Sequence, residues 1–238
     1  MILYPAIDLL GGACVRLAQG AFESAKAYDA DPSQALERFK AAGAACVHVV
    51  DLDGAKDPAK RQTILIEALA RVSGLKLQIG GGVRSLEDAA GLLKAGADRV
   101  VVGTLAVEQP EIFKAMLEVF GGDRLTLAVD IKNGVVASRG WQKRGWQSPQ
   151  QLISAFSKQG LKRALCTDIE KDGMLQGPNL ELYRSLRLDF PELELQASGG
   201  VGCLDDLLAL KALGLHSTIV GKALYEGKVD LAEAVKAC

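Results

Sequence analysis

The tripeptides Ala6-Ile7-Asp8 and Ala128-Val129-Asp130 stand 122 residues apart, each ending an apolar run and each followed by a glycine-containing turn, LLGG and IKNG. Two carboxylates facing one substrate can divide acid–base work, one taking a proton while the other gives one. An Asp at a strand end also caps turns well. Duplication copies caps as readily as catalysts, so these residues alone leave both readings open. Glycines form a second constellation: Gly80, Gly81 and Gly82 with Gly103-Thr104, then Ser198, Gly199 and Gly200 with Gly221-Lys222. Backbone without side chains lets N–H groups and a helix N-terminus converge on an anion, although tight turns use glycine as well. A matched pair of such sites predicts a small substrate carrying phosphate at both ends.

Between these groups lie Arg16, Gln19 and Gly20 in one long connection and Arg139, Trp141, Arg144 and Trp146 in another. Arginine suits phosphate or carboxamide recognition, and an exposed Trp can stack on a heterocycle. They can equally be solvated charges and a packing Trp. Thr167 can hydrogen-bond a substrate hydroxyl or a carboxylate; Asp172 can do the same or form a turn with Gly173. The only histidines, His48 and His216, have no carboxylate at ligand spacing, so no metal site is expected. His48 reads as a structural histidine and His216 as a surface one.

The elements that must position these residues follow from an internal repeat. Gly80–Gly103 aligns without gaps on Ser198–Gly221, an offset of 118, with nine of 24 positions identical. The match extends to Val49-Val50-Asp51-Leu52 against Cys166-Thr167-Asp168-Ile169 and to the two Asp tripeptides. Strands are expected near Ile2–Ile7, Cys46–Leu52, Leu75–Ile79, Arg99–Val102, Leu125–Val129, Arg163–Ile169, Glu194–Ala197 and Ser217–Val220. Asp31-Pro32 and Ser148-Pro149 are helix-start signals, and Ser85-x-x-Asp88 resembles a capping box. Eight βα units in two equal halves predict an α/β fold of (β/α)8 barrel type over residues 1–238, one domain with half-barrels of approximately 1–122 and 123–238. An open doubly wound sheet is the alternative. In the barrel, Asp8 and Asp130 reach the C-terminal mouth from opposite strands, and Ala6 and Ala128 leave space beneath them.

Composition narrows the function classes. Hydrophobic residues make up 49% and aromatics only 5%, so the core is built from Ala, Val, Leu and Ile, as parallel strands covered on both faces require. Lys plus Arg total 28 against 29 Asp plus Glu, without like-charge runs, which argues against nucleic-acid or membrane-surface binding. Five cysteines without a C-x-x-C pair argue against a disulfide framework or zinc site and fit a reducing compartment. The opening MILYPAIDLL lacks the features of a signal peptide, and no apolar run is long enough for a membrane span, so a cytoplasmic location is expected.

The motifs PAIDLLGGACVRLAQG, VHVVDLDGAKD, QIGGGVRS, AVDIKNG, RGWQ, CTDIEKDG, ASGGV and VGKALYEG together resemble the ProFAR isomerase family of histidine biosynthesis over essentially the whole chain. That resemblance implies an Amadori rearrangement, aminoaldose to aminoketose, on a ribosyl group linked to an aminoimidazole carboxamide ribotide. It implies a bis-phosphorylated substrate, no cofactor and no obligate protein partner. It also implies Asp8 as general base, Asp130 as general acid and Thr167 as assistant. Arg16, Arg84, Arg139, Trp141, Asp172 and Ser198 become substrate contacts, with Gly20 in the loop carrying Arg16. Gly81, Gly82, Gly103, Thr104, Gly173, Gly199, Gly200, Gly221 and Lys222 belong to the phosphate cradles. Met174 stands where the family often has Thr, which predicts a change in affinity rather than in reaction type. The sister cyclase subunit of imidazole glycerol phosphate synthase usually has Cys and Lys where Ala6 and Arg16 stand here, and the RGWQ motif also favours the isomerase. A dual-substrate isomerase that also accepts phosphoribosyl anthranilate remains compatible with these motifs. A non-catalytic sensor of phosphorylated metabolites would not need Asp8 and Asp130 together.

Overall fold

Eight apolar runs become eight parallel strands in a computed structural model that describes residues 1–18, 21–29, 31–145 and 147–238, without the side chains of residues 16–29 and of Arg144. The strands are β1 (Ile2–Leu10), β2 (Cys46–Asp51), β3 (Lys76–Gly80), β4 (Arg99–Val102), β5 (Leu125–Lys132), β6 (Arg163–Asp168), β7 (Glu194–Ser198) and β8 (Ser217–Val220). Each pairs with the next in sequence, and β8 returns to β1 with Ile2 opposite Ser217. The ring is closed: this is a (β/α)8 barrel.

Helices α1 (Pro32–Ala41), α2 (Thr63–Ser73), α3 (Leu86–Lys94), α4 (Pro110–Phe120), α5 (Pro149–Ser157), α6 (Leu180–Asp189), α7 (Leu204–Ala212) and α8 (Leu231–Ala237) follow the strands in turn. Asp31 caps α1 by accepting from the Ser33 amide at 2.9 Å, with Pro32 in the first turn. At α5 the Ser148 hydroxyl and the Gln151 side chain form a reciprocal capping box around Pro149. The Ser85-x-x-Asp88 box closes on one side only. Ser85 accepts from the Asp88 amide, but the Asp88 carboxylate turns to the Arg84 amide at 2.8 Å and to Arg61 at 3.1 Å.

Strand alternation divides the core. Outward residues such as Ile7, Val47, Ile79, Val100 and Val129 pack beneath the helices in the main cluster. Inward residues Tyr4, Ala6, Cys46, Val101, Leu165 and Ile219 fill the barrel, with Ala128 against them. The interior is also polar at mid-height. Gln78 on β3 and Gln196 on β7, 118 residues apart, meet across the barrel at 2.8 Å, and Gln78 also contacts His48 Nδ1 at 3.1 Å. These buried amides fix the diametric spacing of the strands that carry the glycine turns above them.

One local feature differs from the expected plain connections. After β1 and after β5 the chain folds back as antiparallel hairpins, Ala13–Ala18 with Ala21–Asp29 and Val135–Ser138 with Lys143–Arg144. The Gly11 and Gly134 turns permit the reversal because both have positive φ, +57° and +75°. Both sheets thereby extend above the barrel rim beside the aspartates.

Candidate active site

Asp8 and Asp130 occupy the mouth ends of β1 and β5, which stand four strands apart in either direction around the ring. Asp8 is opposite Val50 of β2 and Val15 of its hairpin, and is 9% exposed. Asp130 is opposite Thr167 of β6 and Ala137 of its own hairpin. Two hydrogen-bonding groups stand beside its carboxylate: the Trp141 indole and the Thr167 hydroxyl. Asp130 keeps some contact with solvent, yet removal from water dominates and pushes its pKa up to about 6. The Trp141 and Thr167 hydrogen bonds oppose that rise, and the nearby Asp172 charge reinforces it. A carboxyl held there can carry a proton near neutral pH.

The glycine turns flank this pair. Gly81 (φ +115°) and Gly82 (φ +68°) follow β3, where an added Cβ would lie 2.2 Å from the Asp51 carbonyl oxygen and 1.8 Å from that of Gly54. Gly199 (φ +94°) and Gly200 (φ +92°) follow β7, with the corresponding approaches 2.8 Å to Asp168 O and 2.4 Å to Gly177 O. Gly103 (φ −112°, ψ −89°) and Gly221 (φ −113°, ψ −100°) stand in nearly the same conformation at the starts of the short helices Thr104–Glu108 and Lys222–Tyr225. First-turn N–H groups of such helices have no intrahelical acceptor and suit an oxyanion.

Both glycine turns rest on buried acids. Asp51, fully buried, accepts from the Gly54 amide at 2.9 Å, the Gln62 amide at 2.8 Å and the Gln62 side chain at 3.3 Å. Gln62 and Asp53 in turn accept from Gly12 and Gly11, tying the turn after β1 to the connection after β2. Asp168 accepts from the Glu170 amide and the Asn179 side chain at 3.0 and 2.7 Å. Arg61 donates to Gly82 O at 2.8 Å, and the Tyr183 hydroxyl joins the main chains of Cys166 and Ser198. Asp51→Asn is expected to lower stability by about 1–3 kcal/mol, because an amide turned toward backbone donors leaves one of them unpaired. Thermal unfolding should report it as a loss of several degrees, at roughly 2–4 °C per kcal/mol.

Residues 2–230 match the family described as histidine biosynthesis protein. The chain belongs to this family. It is also 49% identical over 239 residues to a curated 1-(5-phosphoribosyl)-5-((5-phosphoribosylamino)methylideneamino)imidazole-4-carboxamide isomerase of Maricaulis maris (strain MCS10), covering 99% of this chain and 98% of that relative.

In this histidine biosynthesis protein the structure brings Asp130, Trp141, Thr167 and Asp172 together, and sets the two glycine groups at the same rim. Trp141 stands beside Asp130, where its indole favours the charged form of that carboxyl. The Arg139 guanidinium is engaged by Glu108, and Arg84 reaches Ala55 O at 3.1 Å. Lys222 donates to Gly173 O at 2.9 Å, joining the two residues expected at the second cradle. Ser198 ends β7 at the mouth, Thr104 accepts from the Arg139 amide, and Met174 is 42% exposed after β6. Gln19, Gly20 and Trp146, and the side chains of Arg16 and Arg144, lie outside the described residues. Among the described residues no helix is long and apolar enough to cross a membrane. Asp51 and Asp168 carried a signal, their match across the repeat, but nothing local in the sequence marks Arg61, Glu108 or Tyr183.

Proposed function

We propose that this chain is an aminoaldose–aminoketose isomerase that converts ProFAR, phosphoribosylformimino-aminoimidazole carboxamide ribotide, to its phosphoribulosyl form in histidine biosynthesis. The observation that carries the reading is Asp130, held by Trp141 and Thr167 with its pKa raised to about 6, on the strand diametrically across the mouth from Asp8. The relative's name contains two phosphoribosyl groups, which agrees with two anion cradles on one rim. In this reading the cradle at Gly81, Gly82, Gly103 and Thr104 takes one phosphate. The cradle at Gly173, Ser198, Gly199, Gly200, Gly221 and Lys222 takes the other. Arg16, Arg84, Arg139, Asp172 and the Gly20 loop contact the substrate between them.

Asp130 protonates the ribose ring oxygen and opens the furanose to a Schiff base. Asp8 then removes the C2 proton, and the resulting enolamine becomes the ketone. Thr167 orients Asp130 throughout. The substrate's negative charge raises the Asp130 pKa further, so the acid is better protonated in the complex than in the free enzyme. No step in this sequence calls for a cofactor.

We also infer that the barrel descends from a duplicated half-barrel, residues 1–122 and 123–238, forming one domain. Supporting this, the Arg84 and Gly202 amides each donate to an aspartate, Asp88 and Asp206, at 2.8 Å, all related by the 118-residue offset. A cytoplasmic location is part of this reading, and the five free cysteines suit a reducing compartment. The direct test is incubation of purified protein with ProFAR and chromatographic separation of the aminoaldose and aminoketose forms, with phosphoribosyl anthranilate in a parallel arm. Accumulation of the aminoketose from ProFAR is expected. No conversion would overturn the assignment, and conversion in both arms would widen it to two substrates.

A further inference from the structure

The hairpin after β5 does not stand freely over the mouth. Glu108, the last residue of the short helix Thr104–Glu108, takes the Arg139 guanidinium in two bonds, Nε to Oε1 at 2.7 Å and Nη2 to Oε2 at 3.0 Å. Lys143 approaches the same carboxylate at 3.4 Å, and the Arg139 amide donates to the Thr104 hydroxyl at 2.9 Å. Glu108 is 20% exposed while Arg139 is 61% exposed, so the hold of the pair lies in its bidentate geometry rather than in burial. Between these anchor points the backbone is held in the left-handed region at Arg139 (φ +56°) and Trp141 (φ +71°), which non-glycine residues adopt only when their surroundings hold them there. Trp141 is the hairpin residue that stands beside Asp130 and favours its charged form.

We propose that Glu108 is a positioning residue for the reaction: by docking Arg139 and Lys143 it fixes the hairpin so that the Trp141 indole stays on Asp130. It touches no reacting atom and acts through Trp141. The inference rests on the isomerase reading for its kinetic consequence and on the docked hairpin for its structural one.

The groups facing Glu108 are Arg139 and Lys143 from the hairpin, and they hold its carboxyl below the usual range. Those facing Asp130 are Trp141 from the hairpin, Thr167 from β6 and Asp172 from the turn beyond it. Of these, Trp141 and Thr167 favour the charged form of Asp130 and Asp172 opposes it. Releasing Trp141 therefore moves the Asp130 titration to higher pH, and the fall of kcat/KM that follows loss of the acid's proton moves with it.

The test uses Glu108→Ala and Glu108→Gln in the full chain. The NMR indole N–H signal of Trp141, assigned with Trp141→Phe, is read without substrate beside the pH titration of Asp130. Steady-state kinetics on ProFAR follow. Glu108→Ala should shift or broaden the Trp141 signal, raise the Asp130 midpoint and lower kcat/KM on the order of 10- to 100-fold, with most of the loss in kcat. Glu108→Gln, whose amide oxygen still accepts from Arg139, should fall between Ala and wild type in all three. An unchanged indole signal and an unchanged Asp130 titration in Glu108→Ala overturn the proposal. Absence of ProFAR turnover in the wild type would overturn the isomerase reading while leaving both spectroscopic outcomes decisive for Glu108. A loss confined to KM, with the indole unmoved, would make Glu108 an indirect substrate contact and would also refute the proposal.

Discussion

Replacing Asp130 by Asn is expected to lower turnover of ProFAR by about 10²–10⁴-fold, the usual weight of a positioned proton donor, while making the folded chain more stable at neutral pH. The two effects have one cause. Burial lifts the Asp130 pKa from 3.8 to about 6, so the folded chain holds that proton more tightly than the unfolded chain does. Folding is therefore least penalised below about pH 4, loses stability as pH rises toward 6, and carries the whole penalty above it. Each pH unit of displacement corresponds to roughly 1.4 kcal/mol, so the penalty approaches about 3 kcal/mol at most. Asn carries no charge to desolvate and still accepts from Trp141 or Thr167. Urea unfolding at acid and neutral pH checks this: the variant should match the wild type near pH 4 and exceed it near pH 7. Asp8→Asn should lose turnover by the same order. Wild-type rates in either variant would remove that residue from the mechanism.

Gly82→Ala is the substitution expected to damage the structure most. A methyl group there would lie 1.8 Å from Gly54 O and 2.4 Å from Gly54 C, with φ at +68°. Gly54 cannot withdraw easily, because its amide is held by the buried Asp51. Left-handed strain and overpacking each cost about 1–3 kcal/mol, so a combined loss of roughly 2–6 kcal/mol is expected. Gly134→Ala is the control: its φ is +75°, but nothing lies within 4 Å of the added methyl. It should pay the strain alone. Equal melting temperatures for the two variants would show that the close approach to Gly54 contributes nothing. Gly200→Ala, 2.4 Å from Gly177 O, should resemble Gly82→Ala.

The glycines show why the sequence could be read only part of the way. Apolar runs give the strands, because parallel strands covered on both faces must be apolar nearly throughout, and all eight lie where those runs put them. The aspartates were legible because strand ends at a barrel mouth are few. The glycine turns could be located, yet the sequence suggests only their openness to an anion. Their closest constraint is a carbonyl at or beyond the end of the preceding strand, Asp51 and Gly54 for one turn and Asp168 and Gly177 for the other, a contact no local pattern encodes. Trp141 and Arg139 were singled out by residue type, but their partners Asp130 and Glu108 depend on a hairpin whose short strands carry little apolar signal. Glu108 itself looks like any acidic residue ending a helix.

The glutamine pair at mid-barrel has a further consequence. Gln78 and Gln196 sit at the repeat offset, so a two-fold axis relating the halves would pass between them, but a hydrogen bond needs one donor and one acceptor. Two equivalent side chains cannot both play the same part in it. Gln78 donates, and its amide nitrogen also meets His48; Gln196 accepts, its own amide nitrogen is unpartnered, and on β6 the inward residue corresponding to His48 is Leu165. The barrel therefore has a direction across its axis that a dimer of two identical halves could not possess. Symmetry is already broken below the mouth, one layer beneath the strand ends that carry Asp8 and Asp130.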